Sequence, residues 1–318
     1  MKAAVVERYG SIVIQDVKKP APAEGEVLVQ VHASSLNAVN WYGFTGRPYI
    51  ARPMMGLFKP KSSEIGGDFA GVVEAIGAGV DDFAPGDEVY GSREGALAEY
   101  VAASAAIERK PVNLSFEEAA AVPLAAFTAL QALRDLAGVK QGDKVLVNGA
   151  SGGVGTFAVQ IAKALGAEVH AVCSTRNVEQ AQELGADRVF DYTREDFARG
   201  GAHYDVLFDN AGNRSWRSMR RVLTPKGTVL LVGGSRHNRL LGPLGHMMRI
   251  KLVSTLSRRK AVFFMAKPNG DDLATLRDLI EAGQVKPVIE QRYELAQIGE
   301  AMRAIGEGHA RAKIVVAI

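Results

Sequence analysis

The sequence predicts an α/β chain in which a doubly wound parallel sheet is accompanied by a second, strand-rich region. Three observations carry that expectation. From Lys144 onward, short β-branched runs alternate with segments of helical apolar spacing. A glycine-rich turn, Ala150–Gly155, separates the first of these strands from the first of these helices. Residues 1–110 instead alternate short strands with turn residues, and the tail beyond about residue 265 has the same texture.

Taken in order, Met1–Val6 reads as a strand, followed by strands at Val27–Ala33, Ala70–Ile76, Asp87–Tyr90 and Glu99–Val101. Proline and glycine clusters at Pro20–Gly25 and Gly77–Gly86 separate them. Ser115–Ala137 is rich in Ala and Leu and opens with Ser115-Phe-Glu-Glu118, the pattern of a capping box. Lys144–Asn148 is a strand. Val154–Gly166 carries apolar residues at helical spacing (Val154, Phe157, Ala158, Ile161, Ala162, Leu165), with Gly166 as its capping glycine. Strands at Glu168–Cys173, Tyr204–Asp209 and Thr228–Val232 then alternate with helices over Val178–Leu184 and around Trp216–Leu223. The tail adds helices at Asp271–Ala282 and Ile298–Ile305 and strands at Val288–Arg292 and Lys313–Ala317. Residues 1–115 and 265–318 are therefore expected to form one discontinuous domain, and 116–264 the other.

At 318 residues the chain can hold two domains, each with its own core. Its 38 basic and 35 acidic residues leave a net charge of +3, too small to imply a nucleic-acid partner. No run of 18 apolar residues is present, so no membrane span is expected, and Met1–Val6 lacks the apolar core of a signal peptide. A cytoplasmic protein is the expectation. The one cysteine, Cys173, rules out an intrachain disulfide and a cysteine-rich zinc site; at a strand end it reads as a small apolar residue.

Ala150-Ser151-Gly152-Gly153-Val154-Gly155 is a GxGxxG pattern with Ala in the first place. Small residues there let the backbone approach a pyrophosphate at the free N–H groups of a helix start, and Gly155 lets the helix pack closely on the strands. The motif follows a strand and opens a helix, which makes it a dinucleotide site of the Rossmann kind. An NAD site expects an acid about 20 residues past the glycines. Counting from Gly155 reaches Ser174-Thr175-Arg176, two hydroxyls and a guanidinium. Arg176 can pair with a 2′-phosphate through charge-assisted bonds worth ~1.5–3 kcal/mol each, roughly a tenfold to hundredfold preference. The alternative for Arg176 is a solvated loop charge. NADPH is the expected cofactor.

These residues, with MKAAVV (1–6), SSLNAVNWYGFTG (34–46), GGDFAGVVEAIGAGVDDFAPGDEVYG (66–91), ASGGVG (150–155), LGADRVFDYT (184–193) and GHARAKIVV (308–316), resemble the medium-chain dehydrogenase/reductase superfamily, in its zinc-independent quinone oxidoreductase branch. The resemblance spans essentially the whole chain. It implies a GroES-like β domain, a Rossmann domain inserted in it, and a nicotinamide held in the cleft between them. It also implies a homodimer formed through a Rossmann edge strand. In zinc-bearing relatives a cysteine stands at the place of Asn37, and a His-Glu pair at that of Gly67-Asp68; the four-cysteine structural loop has no counterpart here. Catalytic zinc needs three protein ligands, and the six histidines (32, 170, 203, 237, 246, 309) lack ligand spacing. No metal is expected.

Without a metal to stabilise an alkoxide, the accessible acceptors are those that delocalise incoming charge: quinones, and enones, enals or enoyl thioesters attacked at the β-carbon. The resemblance puts Asn37 and Tyr42 near the nicotinamide as donors to a developing oxyanion, with Thr128 on the cofactor side. Tyr49 lies in a segment, Gly46-Arg-Pro-Tyr49, similar to one that carries a proton-donating tyrosine in enoyl reductases, but Pro48 falls at the nearest equivalent place. Tyr42 and Tyr49 are either proton-transfer groups or aromatic packing, and Asp68 is expected to fix a backbone turn. For the cofactor, the resemblance adds Tyr192 at the adenosine phosphate, Asn210 near the adenine or ribose, Val232-Gly233-Gly234 under the nicotinamide, and Phe264 with Met265 as main-chain contacts. Lys313 and His309 fall where some relatives touch the phosphates.

Ser235–Lys260 carries seven basic residues and no acid, interleaved with Leu, Ile, Met and Val. It reads either as a loop and helix roofing the cofactor or meeting a second subunit, or as a contact for a membrane surface or a lipophilic quinone. The leading functional expectation is an NADPH-dependent reductase of a quinone or activated C=C bond. An enoyl thioester reductase and a non-catalytic NADPH-binding scaffold are the alternatives.

Overall fold

The computed structural model describes residues 1–199, 201–234, 238–255, 257–308 and 311–318. The chain divides into two units. Unit 1 comprises Met1–Phe127, Lys267–Gly283 and Pro287–Ile318; unit 2 comprises Thr128–Ala266 and Gln284–Lys286. The boundary expected at 115/116 thus lies twelve residues later. Ser115 does cap a helix, with its Oγ accepting from Glu118 N–H and the Glu118 carboxylate accepting from Ser115 N–H. That helix and the next one, however, belong to unit 1 up to Phe127. Ser115–Ala137 is not one helix. Proline at 123 lacks an N–H and starts a new one, and the chain widens into a π-helical turn at Gln131–Leu136.

In chain order, unit 1 contributes β1 (Lys2–Arg8), β2 (Ser11–Asp16), β3 (Val27–Leu36), α1 (Ala38–Thr45), α2 (Arg52–Met55), β4 (Asp68–Ile76), β5 (Glu88–Ser92), β6 (Tyr100–Ala103), β7 (Ile107–Arg109) and α3 (Phe116–Ala120). Helix α4 (Pro123–Leu130) leads into unit 2. There follow β8 (Lys144–Asn148), α5 (Gly153–Ala164), β9 (Glu168–Cys173), α6 (Val178–Glu183), β10 (Arg188–Asp191), β11 (Tyr204–Asp209), α7 (Trp216–Arg221), β12 (Leu223–Leu231), α8 (Gly242–Ser254) and β13 (Lys260–Phe263). The tail supplies α9 (Gly270–Glu281), β14 (Ile289–Glu294), α10 (Ile298–Glu307) and β15 (Lys313–Ala317).

Unit 1 is built on a sheet of order β14-β15-β3-β4-β5-β7, with β6 also paired to β3 and β1-β2 as a separate antiparallel ribbon. The tail strand β15 lies antiparallel to β3, pairing Ile314 with Leu36 and Ala317 with Ala33. Amphipathic α10 buries Ile298, Ala301, Met302 and Ile305 against Ala4, Leu36, Ile65, Leu97 and Val316. Tyr90 is fully buried and donates to Leu273 O at 2.7 Å, tying β5 to α9; burial pushes its phenol well above the usual range.

Unit 2 is a six-stranded sheet of order β10-β9-β8-β11-β12-β13, and every adjacent pair is parallel. Numbered from the first strand of the unit, this is the order 3-2-1-4-5-6 of the doubly wound dinucleotide fold, whose switch point lies between β8 and β11. The strands are apolar because helices cover them; α7 and α8 share one buried cluster through Trp216, Met219, Met247 and Ile250 with Val229 and Leu231. A polar network runs inward from the sheet surface at Glu168. His170 on β9 has Nδ1 2.8 Å from the Tyr204 hydroxyl and Nε2 3.1 Å from Glu168, and burial holds its imidazole below the usual range.

Candidate functional site

In unit 2 the candidate residues gather at the carboxyl ends of the strands. β8 ends at Asn148, whose Nδ2 donates to Asp209 Oδ1 at 2.8 Å, at the end of β11, and to Asn213 Oδ1 at 3.1 Å. Asp209 also accepts from Gly212 N–H at 3.0 Å, and burial raises its carboxyl above the ordinary range. This bridge across the switch point fixes the two loops that leave it.

The turn itself is a cradle only glycine can form. A Cβ on Gly155 would lie 2.1 Å from Gly149 O, and one on Gly233 would lie 2.0 Å from Asn210 O. A Cβ on Gly152 would come within 3.2 Å of Asn210 Nδ2. Gly152 is the N-cap of α5 and has no side chain to satisfy the first N–H groups, and the first turn carries no acid. Those groups suit an anion. Ala150 is buried, and Ser151, Gly153 and Val154 are half-buried around the turn. Val232 and Gly233 N–H both donate to Asp209 O, which brings Gly234 and its neighbours alongside Asn210. The turn therefore fits a dinucleotide pyrophosphate.

At the end of β9, Ser174 Oγ accepts from Asn177 Nδ2 at 3.2 Å, while Thr175 and Arg176 are exposed. Sequence reasoning missed an acid here. Asp191 closes β10, and its carboxylate accepts from Thr175 Oγ1 (2.6 Å), Thr193 Oγ1 (2.7 Å) and Thr193 N–H (3.0 Å), with Arg194 at 3.4 Å. The Thr175 bond, ahead of the Thr193 ones, holds it below the usual carboxylate range. It escaped a count from the glycines because it sits on the next strand, brought alongside by the β9–β10 register of Asp191 with Cys173. Tyr192 is 56% exposed and lines an open pocket of about 610 Å³ together with Thr193, three arginines (Arg194, Arg199, Arg214) and two acids (Glu195, Asp196). Cys173 is buried and its thiol is pushed up to about 11, consistent with an inert apolar residue. Thr128 is half-buried on α4, and Phe264 is half-buried just past β13 with Met265 exposed beside it.

Unit 1 holds a second constellation. Asn37 follows β3 and is the N-cap of α1; its backbone N–H donates to Asn40 Oδ1 at 2.7 Å. The Asn37 carboxamide lies between two charges. Its Nδ2 donates to Asp68 Oδ2 at 2.7 Å, and its Oδ1 accepts from Lys313 Nζ at 2.7 Å. Partner chemistry fixes that orientation, since an ammonium can only donate and a carboxylate only accept. Asp68 also accepts from Ser35 Oγ (3.2 Å) and Leu124 N–H (3.1 Å). It anchors the start of α4, as a turn-fixing residue would. Lys313 is correspondingly not a phosphate ligand: its side chain is 2% exposed and points into unit 1 beside β3. The β15–β3 pairing carries it inward, away from the phosphate role that the resemblance implies. His309 lies outside the described residues.

This donor set does not fit zinc. Around the Asp68 carboxylate stand an amide, a hydroxyl and an ammonium, none of them a thiolate or imidazole ligand. Among the described residues no cluster of three His, Cys, Asp or Glu side chains could bind a metal. Tyr42 is half-buried with its ring edge-on to Trp41 at 5.5 Å. The 40%-exposed ring of Tyr49 packs on the Arg52 guanidinium, 4.7 Å away, which also covers Tyr9. Past Tyr49 the chain exposes Met54 (80%) and Phe58 (91%).

A doubly wound sheet with a glycine cradle at its switch point has the architecture of a dinucleotide-binding protein. Comparison with known proteins agrees. Residues 23–111 match the alcohol dehydrogenase GroES-like domain, and 184–316 match a zinc-binding dehydrogenase domain. The chain is 32% identical to the mitochondrial NAD(P)H oxidoreductase RTN4IP1 of Danio rerio, over 100% of this chain and 91% of that one. It is 34% identical to a chloroplast envelope quinone oxidoreductase homolog of Arabidopsis thaliana, over 94% and 92%. The quinone oxidoreductase structure from Coxiella burnetii superposes with a TM-score of 0.87 at 29% identity, covering 100% and 99%. The chain belongs to the medium-chain dehydrogenase/reductase superfamily, in its quinone oxidoreductase branch.

Proposed function

We propose that the protein reduces a quinone or an activated C=C bond with NADPH, without a metal. The observation that carries this reading is the engagement of Asp68 by Lys313 and Asn37, which turns the family's metal position into a hydrogen-bonding one. Bound NADPH supplies a hydride from its nicotinamide. Gly152–Gly155 and Asn210 would hold its pyrophosphate and ribose, and Ser174, Thr175, Arg176 and Tyr192 its adenosine phosphate. The preference for NADPH over NADH is supported by Arg176 at the end of β9, while Asp191 is already occupied by threonine donors.

One hydrogen of the Asn37 amide is committed to Asp68, and the other remains to donate to an acceptor oxygen. The Lys313 ammonium on Oδ1 polarises that amide and strengthens the donation as charge develops. Lys313 is thus a positioning residue, and Tyr42 is the second donor. Tyr49, engaged with Arg52, is assigned to packing. The exposed Met54 and Phe58 suit an apolar acceptor. A homodimer through β13 is supported by that strand's place at the sheet edge and by exposed Phe263 and Met265. NADPH oxidation screened across quinones, enals, enones and enoyl thioesters tests the reading. Turnover of quinones, enals or enones supports it; turnover confined to enoyl thioesters favours the thioester reductase, and NADPH binding with no turnover on any class favours a scaffold.

A further inference from the structure

Charge along this chain is divided unevenly. Residues 210–270 carry 13 of its 38 lysines and arginines and none of its 35 acids, so the remaining residues hold 25 basic groups against 35 acidic ones. A near-neutral total hides a strongly cationic segment within an otherwise acidic chain.

The fold places four of those arginines on two neighbouring helices. α7 and α8 cover the same face of the unit 2 sheet through the buried cluster of Trp216, Met219, Met247 and Ile250. Their opposite faces are exposed. α7 presents Arg217, Arg220 and Arg221, and α8 presents Arg249 beside Met248 (67% exposed) and Leu252 (72%). None of these four arginines forms an ion pair among the described residues. Arg214 and Arg259, nearby in sequence, are engaged: the first with Asp196 at 3.2 Å, the second with the carbonyls of Leu223 and Thr224. Exposed apolar side chains beside unpaired cations match the boundary of an anionic bilayer, where headgroups meet acyl chains. A nucleic-acid backbone would use the arginines and leave Met248 and Leu252 in solvent.

We propose that the α7–α8 face docks the protein on membranes rich in anionic phospholipid. The arginines engage headgroup phosphates, and Met248 and Leu252 enter the acyl boundary. The inference stands on charge and exposure and is independent of the acceptor's identity.

Flotation of the full chain with vesicles tests it, using pure phosphatidylcholine against phosphatidylcholine mixed with phosphatidylglycerol. Binding is expected only to the mixed vesicles and to weaken steeply with added salt. Each basic side chain near an anionic leaflet contributes roughly a fivefold factor, so combining Arg217→Gln, Arg220→Gln and Arg221→Gln is expected to weaken binding about a hundredfold. The pair Met248→Ser and Leu252→Ser is expected to weaken it too, with NADPH affinity and the sedimentation coefficient unchanged. A control pair on β8 and α5, Lys144→Gln and Lys163→Gln, retains binding. Equal binding to both vesicle types, or none, overturns the proposal. So do variants that bind like the parent, a change of oligomeric state in the α7 or α8 variants, and displacement from vesicles by duplex DNA at lower concentration than by soluble phosphatidylglycerol.

Discussion

Lys313 Nζ and Asp68 Oδ2 face each other at 3.4 Å inside unit 1, with their side chains 2% and 0% exposed. Burial lowers the ammonium's pKa, and the carboxylate opposes that change. Removing one partner of such a pair leaves an uncompensated charge, which costs about 3–5 kcal/mol. Lys313→Met is expected to lower unfolding stability by that amount in a urea titration, and to lower kcat while leaving KM for NADPH nearly unchanged. Adding Asp68→Asn to Lys313→Met recovers part of the stability but not kcat. Independent, additive effects of the two substitutions would show that the pair is not coupled.

Arg176 is the one basic side chain in Ser174–Arg176, the trio proposed to hold the adenosine phosphate. Arg176→Ala is expected to raise KM for NADPH roughly tenfold to a hundredfold and to leave KM for NADH almost unaltered. Parallel changes for both cofactors would assign the 2′-phosphate to another group.

Gly155→Ala places a methyl carbon 2.1 Å from Gly149 O, a backbone atom that cannot step aside cheaply. Overpacking of this kind costs about 1–3 kcal/mol of stability. It also shifts the turn proposed to hold the pyrophosphate. Fluorescence titration is expected to show NADPH affinity lost or strongly reduced in a chain that still folds; affinity equal to the parent's would contradict the cradle.

The His170 network gives a pH dependence. Burial lowers the folded-state pKa of His170, so on acidification the unfolded chain binds its proton first, below about pH 6.5. Its contribution is fully present above that value and declines as pH falls toward the folded-state pKa. Urea midpoints measured across this window should fall more steeply for the parent than for His170→Gln. Identical slopes would remove His170 as the cause.

The doubly wound sheet was legible because β8, β9 and β11 are largely apolar runs that begin and end where the pattern predicts. Short elements were not. β10 has four residues and β2 carries no clean alternation, so neither rises above local noise. The glycine turn was readable because its chemistry is contiguous in sequence. The Asn37–Asp68–Lys313 cluster was not: its members are separated by 31 and 245 residues, and only the antiparallel β15–β3 and β3–β4 pairings bring them together. Asp191 was hidden for the same reason, since its role arises from lateral register between strands.

The central claim is hydride transfer to a conjugated acceptor assisted by hydrogen-bond donors alone, and isotope transfer tests it most directly. The protein is dialysed exhaustively against chelator and given NADPH deuterated at the transferable C4 position, together with an enone. The account predicts deuterium on the β-carbon of the product, at the rate seen before dialysis. An unlabelled product, or activity that disappears on dialysis and returns with zinc, would contradict it.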